Sequence, residues 1–189
     1  AKDKHKDIPP APGVHEWQDL IRRYPATDPH VHVPPDSVAT LQFTGGTTGV
    51  SKAAMLTHAN LHSNAQQLKA WLHTLQRGSG AVLCALPYFH SFGILACLNS
   101  GIMQGWNQVL IPKPDLETIL KAVVKYKINI FPGVPTLYTG VVNHPDIAKY
   151  NLRSIEACFS AGAPLPVDII SKFEEISGAH ICEAYGLTE

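Results

Sequence analysis

Net charge is missing from this sequence: 15 basic and 15 acidic side chains cancel over 189 residues, and only 16% of residues are charged. That balance excludes the basic footprint of a nucleic-acid partner. Long apolar runs are lacking too, and none approaches the about 20 residues that span a bilayer. Cysteine is sparse at four (Cys84, Cys97, Cys158, Cys182), with no Cys-x-x-Cys pair and no secretory leader ahead of them. That pattern predicts buried free thiols in a reducing cytosol. An initiator methionine is absent, and the sequence is expected to be a piece of a longer protein. Hydrophobic residues at 45% exclude disorder, and the length suffices for one domain with a substantial core.

Against this plain background one stretch is dense in chemistry: Phe43-Thr44-Gly45-Gly46-Thr47-Thr48-Gly49-Val50-Ser51-Lys52. Glycines let a backbone turn tightly, and successive N–H groups in such turns form a nest for anionic oxygen. Threonine hydroxyls add donors and Lys52 a compact positive charge, which together suit a polyphosphate. A polar hairpin tip is the bland alternative, since Gly and Thr are ordinary turn material. Three threonines alongside a lysine favour phosphate. The stretch is not a Walker A loop, because Ser51-Lys52-Ala53 replaces the closing Gly-Lys-Ser/Thr. Strands at 37–43 and 53–56 flank it, so the loop joins two strands with no helix dipole behind it.

Residues 1–36 read as a surface segment, with breaker runs at Ile8 to Gly13 and Val33-Pro34-Pro35. Trp17, Leu20, Ile21 and Tyr24 between them have helical spacing for a short docking helix. Beyond the loop, Thr57 is an N-cap for a helix from 58 to about 76, with Leu61, Ala65, Leu68, Leu72 and Leu75 as its buried stripe. His58 and His62 stand at a metal-binding spacing, but with no third ligand nearby two solvent-facing histidines are the better reading. Strands follow at 81–86, 108–111, 128–131, 155–159 and 180–184. Helices follow at 90–103, 116–126, 136–143 and 167–176. Strands alternating with helices predict an α/β fold with a largely parallel sheet flanked by helices.

Ligands in such sheets gather beyond the carboxyl ends of the strands. Three stretches fall there: Pro87-Tyr88-Phe89-His90, Ser160-Ala161-Gly162-Ala163-Pro164 and Tyr185-Gly186-Leu187-Thr188-Glu189. An aromatic face suits a nucleobase, a hydroxyl a phosphate oxygen, and a carboxylate a Mg²⁺ ion beside phosphates.

Thr44 to Lys52 resembles the phosphate loop of the adenylate-forming superfamily, which includes acyl-CoA synthetases, luciferases and peptide adenylation domains. Its departures are Gly45, Ser51 and Ala53. With Met55-Leu56-Thr57-His58-Ala59-Asn60-Leu61 behind it, the stretch looks most like bacterial long-chain fatty acid–CoA ligases. Tyr185 to Glu189 resembles the superfamily's Tyr-Gly-x-Thr-Glu motif. The resemblance implies phosphate contacts from Thr44, Gly45, Gly46, Thr47, Thr48, Gly49 and Lys52. It implies Gly162, Ala163 and Pro164 as a wall beside adenine, Tyr185 and Gly186 against the base, Thr188 on the α-phosphate and Glu189 on Mg²⁺. His90 is similar to the family's pocket histidine near the reacting carboxylate, although a structural role is the commoner use of such a residue. Phe131, Gly133, Val134 and Leu137 fit an acyl tunnel or ordinary core equally.

The implied reaction joins a fatty acid to AMP from ATP, then passes the acyl group to coenzyme A. Lys52, His90, Thr188 and Glu189 are the expected catalytic residues, and the setting is expected to be cytoplasmic. Peripheral contact with the inner face of the membrane and a homodimer are compatible with the resemblance. The expected organisation is a surface segment at 1–36 and a partial AMP-binding domain at 37–189, truncated at its C-terminus. The family's ribose-binding aspartate and C-terminal lysine would lie beyond Glu189. Alternatives are a fatty acyl-AMP or aryl-acid ligase sharing these motifs, or a non-catalytic nucleotide-binding module.

Overall fold

Each of five short apolar runs contributes alternate side chains to opposite faces, and both faces need covering. The computed structural model describes residues 11–44 and 52–189. They fall into two units divided between Val33 and Pro34. The first carries α1 (Trp17–Arg23), where Asp19 and Arg22 pair at 2.7 Å and Trp17 and Ile21 are exposed.

The second unit opens with an antiparallel pair, β1 (Val38–Thr44) and β2 (Lys52–Thr57). Helix α2 (His58–Trp71) follows directly. Thr57 Oγ1 accepts the Asn60 N–H at 3.1 Å while Asn60 Oδ1 accepts the Thr57 N–H at 2.9 Å. Such reciprocal capping supplies two otherwise orphaned donors and contributes about 1 kcal/mol. The helix ends at Trp71, five residues before the expected end, because Leu72 leaves helical geometry. Leu72 and Leu75 are nevertheless buried, in the turns that follow. His58 and His62 are exposed.

The main sheet comprises β3 (Ala81–Cys84), β4 (Asn107–Leu110), β5 (Ile130–Gly133), β6 (Ala157–Ser160) and β7 (Ile181–Glu183). They run parallel in the order β4-β3-β5-β6-β7. Between β3 and β4 lie α3 (Ser91–Gly93), a π-helical stretch (Ile94–Asn99) and α4 (Ser100–Gln104). The remaining crossovers are α5 (Leu116–Tyr126), α6 (Pro135–Val142) and α7 (Val167–Ser177).

Alternation along the strands divides the core in two. Ala81, Leu83, Phe131 and Cys158 pack with α5, α6 and α7, whereas Val82, Cys84, Ile130 and Phe159 pack with Leu72, Leu75, Cys97 and Trp106. Covering both faces is the condition under which a parallel sheet is stable. Phe131, Tyr138 and Phe173 form an aromatic cluster with centroids 4.9–5.6 Å apart. The Tyr138 hydroxyl lies 2.9 Å from the Phe131 carbonyl oxygen and 3.0 Å from that of Phe159, tying α6 to two strands.

β5 begins and ends two residues later than the sequence suggests, taking in Pro132 and Gly133. It pairs with β6 along its whole length but with β3 only at Ile130. Beyond Ile130 the β3 side of the strand asks for no donor, so Pro132 is tolerated. Of the thiols, Cys84, Cys97 and Cys158 are buried as expected, whereas Cys182 is exposed.

Candidate active site

The strand order places β4 on one side of β3 and β5 on the other, although β5 follows β4 in the chain. The crevice beyond the carboxyl ends of β3 and β5 is therefore a topological switch point, the usual place for a ligand in an open parallel sheet. The loop Pro87 to His90 leaves β3 there. His90 caps α3, its Nδ1 accepting the Phe92 N–H at 3.2 Å. With Nδ1 used as an acceptor, the neutral ring carries its proton on Nε2, and the side chain is exposed. Gly93 is required behind it, because a Cβ at that position would collide with the Pro87 carbonyl oxygen.

The β1–β2 register pairs Phe43 with Ala53 and Thr44 with Lys52. Lys52 therefore stands at the root of the glycine–threonine loop, across from Thr44, whose hydroxyl donates to the Lys52 carbonyl at 3.4 Å. Gly45, Gly46, Thr47, Thr48 and Gly49, with Val50 and Ser51, lie outside the described residues. The hairpin is tied to the β3 loop by Gln42, whose side-chain amide donates to the Phe89 carbonyl at 2.5 Å.

At the end of β6, Ser160 pairs with Gly133 of β5 and Glu183 of β7. Gly162 has φ +92°, a left-handed conformation that glycine adopts freely. Ala163 and Pro164 are exposed, while Leu165 is buried and its N–H donates to Glu183 Oε1 at 2.9 Å. Glu183 thus anchors the small-residue loop to β7. The Ser160 hydroxyl, buried beside that anchor, has no hydrogen-bond partner among the described residues.

Past β7, Tyr185 is 91% exposed and Gly186 has open space around it. The chain then turns so that Thr188 and Glu189 line a cleft of about 340 Å³ with Asn60 and Asn64 of α2 and Ser91 and Asn99 across from them. A larger groove of about 630 Å³ runs between β4 and α5, along the sheet's open edge and away from these loops.

The fold brings Thr188 and Glu189 to the side of α2, whose N-terminus continues from the β1–β2 hairpin. His90, Gly162 to Pro164 and Tyr185 lie at the carboxyl edge of the sheet but outside that cleft's lining. A single exposed carboxylate suits only a Mg²⁺ ion that takes its other ligands from water or phosphate oxygen. Glu189 is exposed, Glu183 is engaged with Leu165, and no group of three or more potential protein ligands converges among the described residues. Sequence reasoning missed Gln42, Glu183 and Gly93. Each acts on a partner distant in the chain or through the backbone, with no local pattern to mark it.

A family model described as AMP-binding enzyme matches residues 2–189. The long-chain-fatty-acid–CoA ligase of Bacillus subtilis (strain 168) is 38% identical over 188 residues, covering 98% of this chain and 33% of that protein. Among solved structures, the anthranilate CoA ligase AuaEII in complex with anthranoyl-AMP superposes with a TM-score of 0.83 at 26% identity, covering 95% of this chain and 35% of that one. ATP-bound MatB from Rhodopseudomonas palustris gives 0.78 at 27% identity, covering 91% and 33%. The chain spans about a third of the length of these relatives.

Proposed function

We propose that this chain, which belongs to the AMP-binding enzyme family, supplies the ATP-binding part of a ligase that activates a long-chain fatty acid and transfers it to coenzyme A. The observation that carries the reading is the joint placement of the β1–β2 strands that flank the glycine–threonine loop and of Leu187 to Glu189. Both adjoin α2, one running into its N-terminus and the other lining the cleft along its side.

In the first step a carboxylate oxygen attacks the α-phosphorus of ATP, forming acyl-AMP and releasing pyrophosphate. Phosphoryl transfer needs positioning and stabilisation of spreading charge more than covalent help. The loop amides and Lys52 would hold the polyphosphate, and Thr188 the α-phosphate. Tyr185 offers an exposed ring to the base, with Gly162, Ala163 and Pro164 as the wall beside it. Glu189 would hold Mg²⁺, which when bound neutralises phosphate charge. His90, fixed by its own cap, presents Nε2–H to the reacting carboxylate. In the second step the coenzyme A thiolate takes the acyl group and AMP leaves.

The likeness to an anthranilate ligase favours one alternative acid, an aromatic one. No helix among the described residues is long and apolar enough to cross a membrane. We place the reaction in the cytoplasm, with peripheral contact where a long-chain acid partitions into the membrane. The deciding assay is ATP–pyrophosphate exchange with palmitate or anthranilate, followed by thioester detection with coenzyme A. Palmitate-dependent exchange and palmitoyl-CoA support the reading. Exchange with anthranilate alone replaces the substrate, and no exchange with any acid removes the activity.

A further inference from the structure

Two thiols that this reaction does not use meet beneath the β3–α3 loop. Cys84 ends β3, and Cys97 lies in the π-helical stretch packed against it. Both belong to the same apolar layer, with Cys84 4% and Cys97 0% exposed. Cys97 Sγ lies 3.5 Å from the carbonyl oxygen of Leu83, the peptide oxygen immediately before Cys84, so its sulfur sits beside the backbone of Cys84. Cys84 also lines a cleft of about 380 Å³ with Tyr88, Leu110 and Pro112, a route that Cys97 does not share.

We propose that Cys84 and Cys97 form a reversible oxidative modification site, in which a hydroperoxide oxidises Cys84 and Cys97 closes a disulfide with it. The Cys84 thiolate attacks the outer peroxide oxygen. An S–O bond forms, the O–O bond breaks, and water or an alcohol leaves with a proton, giving a sulfenic acid. Cys97 sulfur then attacks Cys84 sulfur, and hydroxide leaves as water with the Cys97 proton. The peroxide gains two electrons and the thiol pair loses two. Oxidation stops at the disulfide because the second thiol already lies beside the first.

The environments divide the roles. The neighbouring Cys97 thiol holds the Cys84 thiol below its ordinary pKa against the opposing effect of burial, and the Cys84 thiol together with burial pushes Cys97 up. Thiolate character selects the attacking sulfur. Cys158, by contrast, is pushed up to about 12, first by burial and then by the nearby Cys182 and Glu174.

Peptide mapping of the purified, reduced protein after hydrogen peroxide tests the proposal, with free thiols alkylated under denaturing conditions. The expected product is a linked pair of peptides carrying Cys84 and Cys97, lighter by two hydrogens and separated again by dithiothreitol. Cys97→Ser should leave a sulfenic acid on Cys84 that dimedone labels, and Cys84→Ser should leave Cys97 unlabelled. Complete alkylation of both residues after peroxide, or oxidation confined to exposed Cys182, overturns it. So does dimedone labelling at Cys97. The wild-type map alone decides the matter should a variant fail to fold.

Discussion

The Gln42 side chain donates to the carbonyl oxygen of Phe89, 47 residues further along the chain. That bond joins the β1–β2 hairpin to the loop that holds His90, so the two share a support. A net hydrogen bond contributes about 0.5–1.5 kcal/mol. Gln42→Ala should slow palmitate-dependent pyrophosphate exchange about 2- to 10-fold by that energy, with little change in melting temperature. An unchanged rate would mean that the hairpin and loop are held by other contacts.

Lys52 faces Thr44 across the hairpin root. Lys52→Ala should lower the adenylation rate by about 10²–10³-fold, the scale of losing one preorganised charge-stabilising donor. Pyrophosphate exchange at saturating ATP is the measurement, and wild-type turnover would take Lys52 out of the mechanism.

Glu189 is the carboxylate available beside Thr188. Glu189→Gln should raise the Mg²⁺ concentration for half-maximal rate more than it raises the fatty-acid KM. Equal effects on both would indicate distortion of the cleft instead of a lost metal ligand.

Alkaline stability has a defined sign. Burial pushes the Cys158 thiol from 9.0 to about 12 in the folded chain. Between those values the unfolded chain has lost a proton that the folded chain keeps, so stability falls as pH rises from about 9, by about 1.4 kcal/mol per pH unit for one proton. Below pH 9 the group has no effect. Denaturant titrations at pH 8 and pH 10 should show the loss shrinking in Cys158→Ala, and identical losses would show that other groups control it.

Tyr138 is fully buried, with its hydroxyl between two strand carbonyls. Tyr138→Phe keeps the ring packing but leaves both carbonyls without that donor. It should cost about 1–3 kcal/mol in stability, read as a lower denaturation midpoint at unchanged m-value.

Local chemistry made much of this legible. Helix α5 runs over the expected residues because a strong apolar stripe is bounded by an Asp115 cap and a left-handed Lys127. The hairpin, the parallel sheet and the three loops beyond its carboxyl edge follow from alternation and from Gly and Pro punctuation. Burial without helicity was not legible: Leu72 and Leu75 keep the helical spacing of apolar residues in turns that are not helical. Pro132 reads as a strand breaker until the partial pairing of β5 with β3 is known. Gln42 and Glu183 find partners 47 and 18 residues away, and a single sequence holds no signal for such pairings.

The π-helical stretch has a consequence for how the molecule tolerates length changes. Each residue of an α-helix turns the chain by about 100°, so a widened turn rotates everything after it relative to the periodicity before it. Ser100 and Gln104, polar residues one α-turn apart, consequently face inward, 1% and 2% exposed, with Ser100 Oγ and Gln104 Oε1 unpartnered among the described residues. Deleting one residue between Ile94 and Asn99 would restore an unbroken α-helix and swing Ser100 and Gln104 toward solvent. The phase of the helix would then match its local bonding but no longer the sheet beneath it.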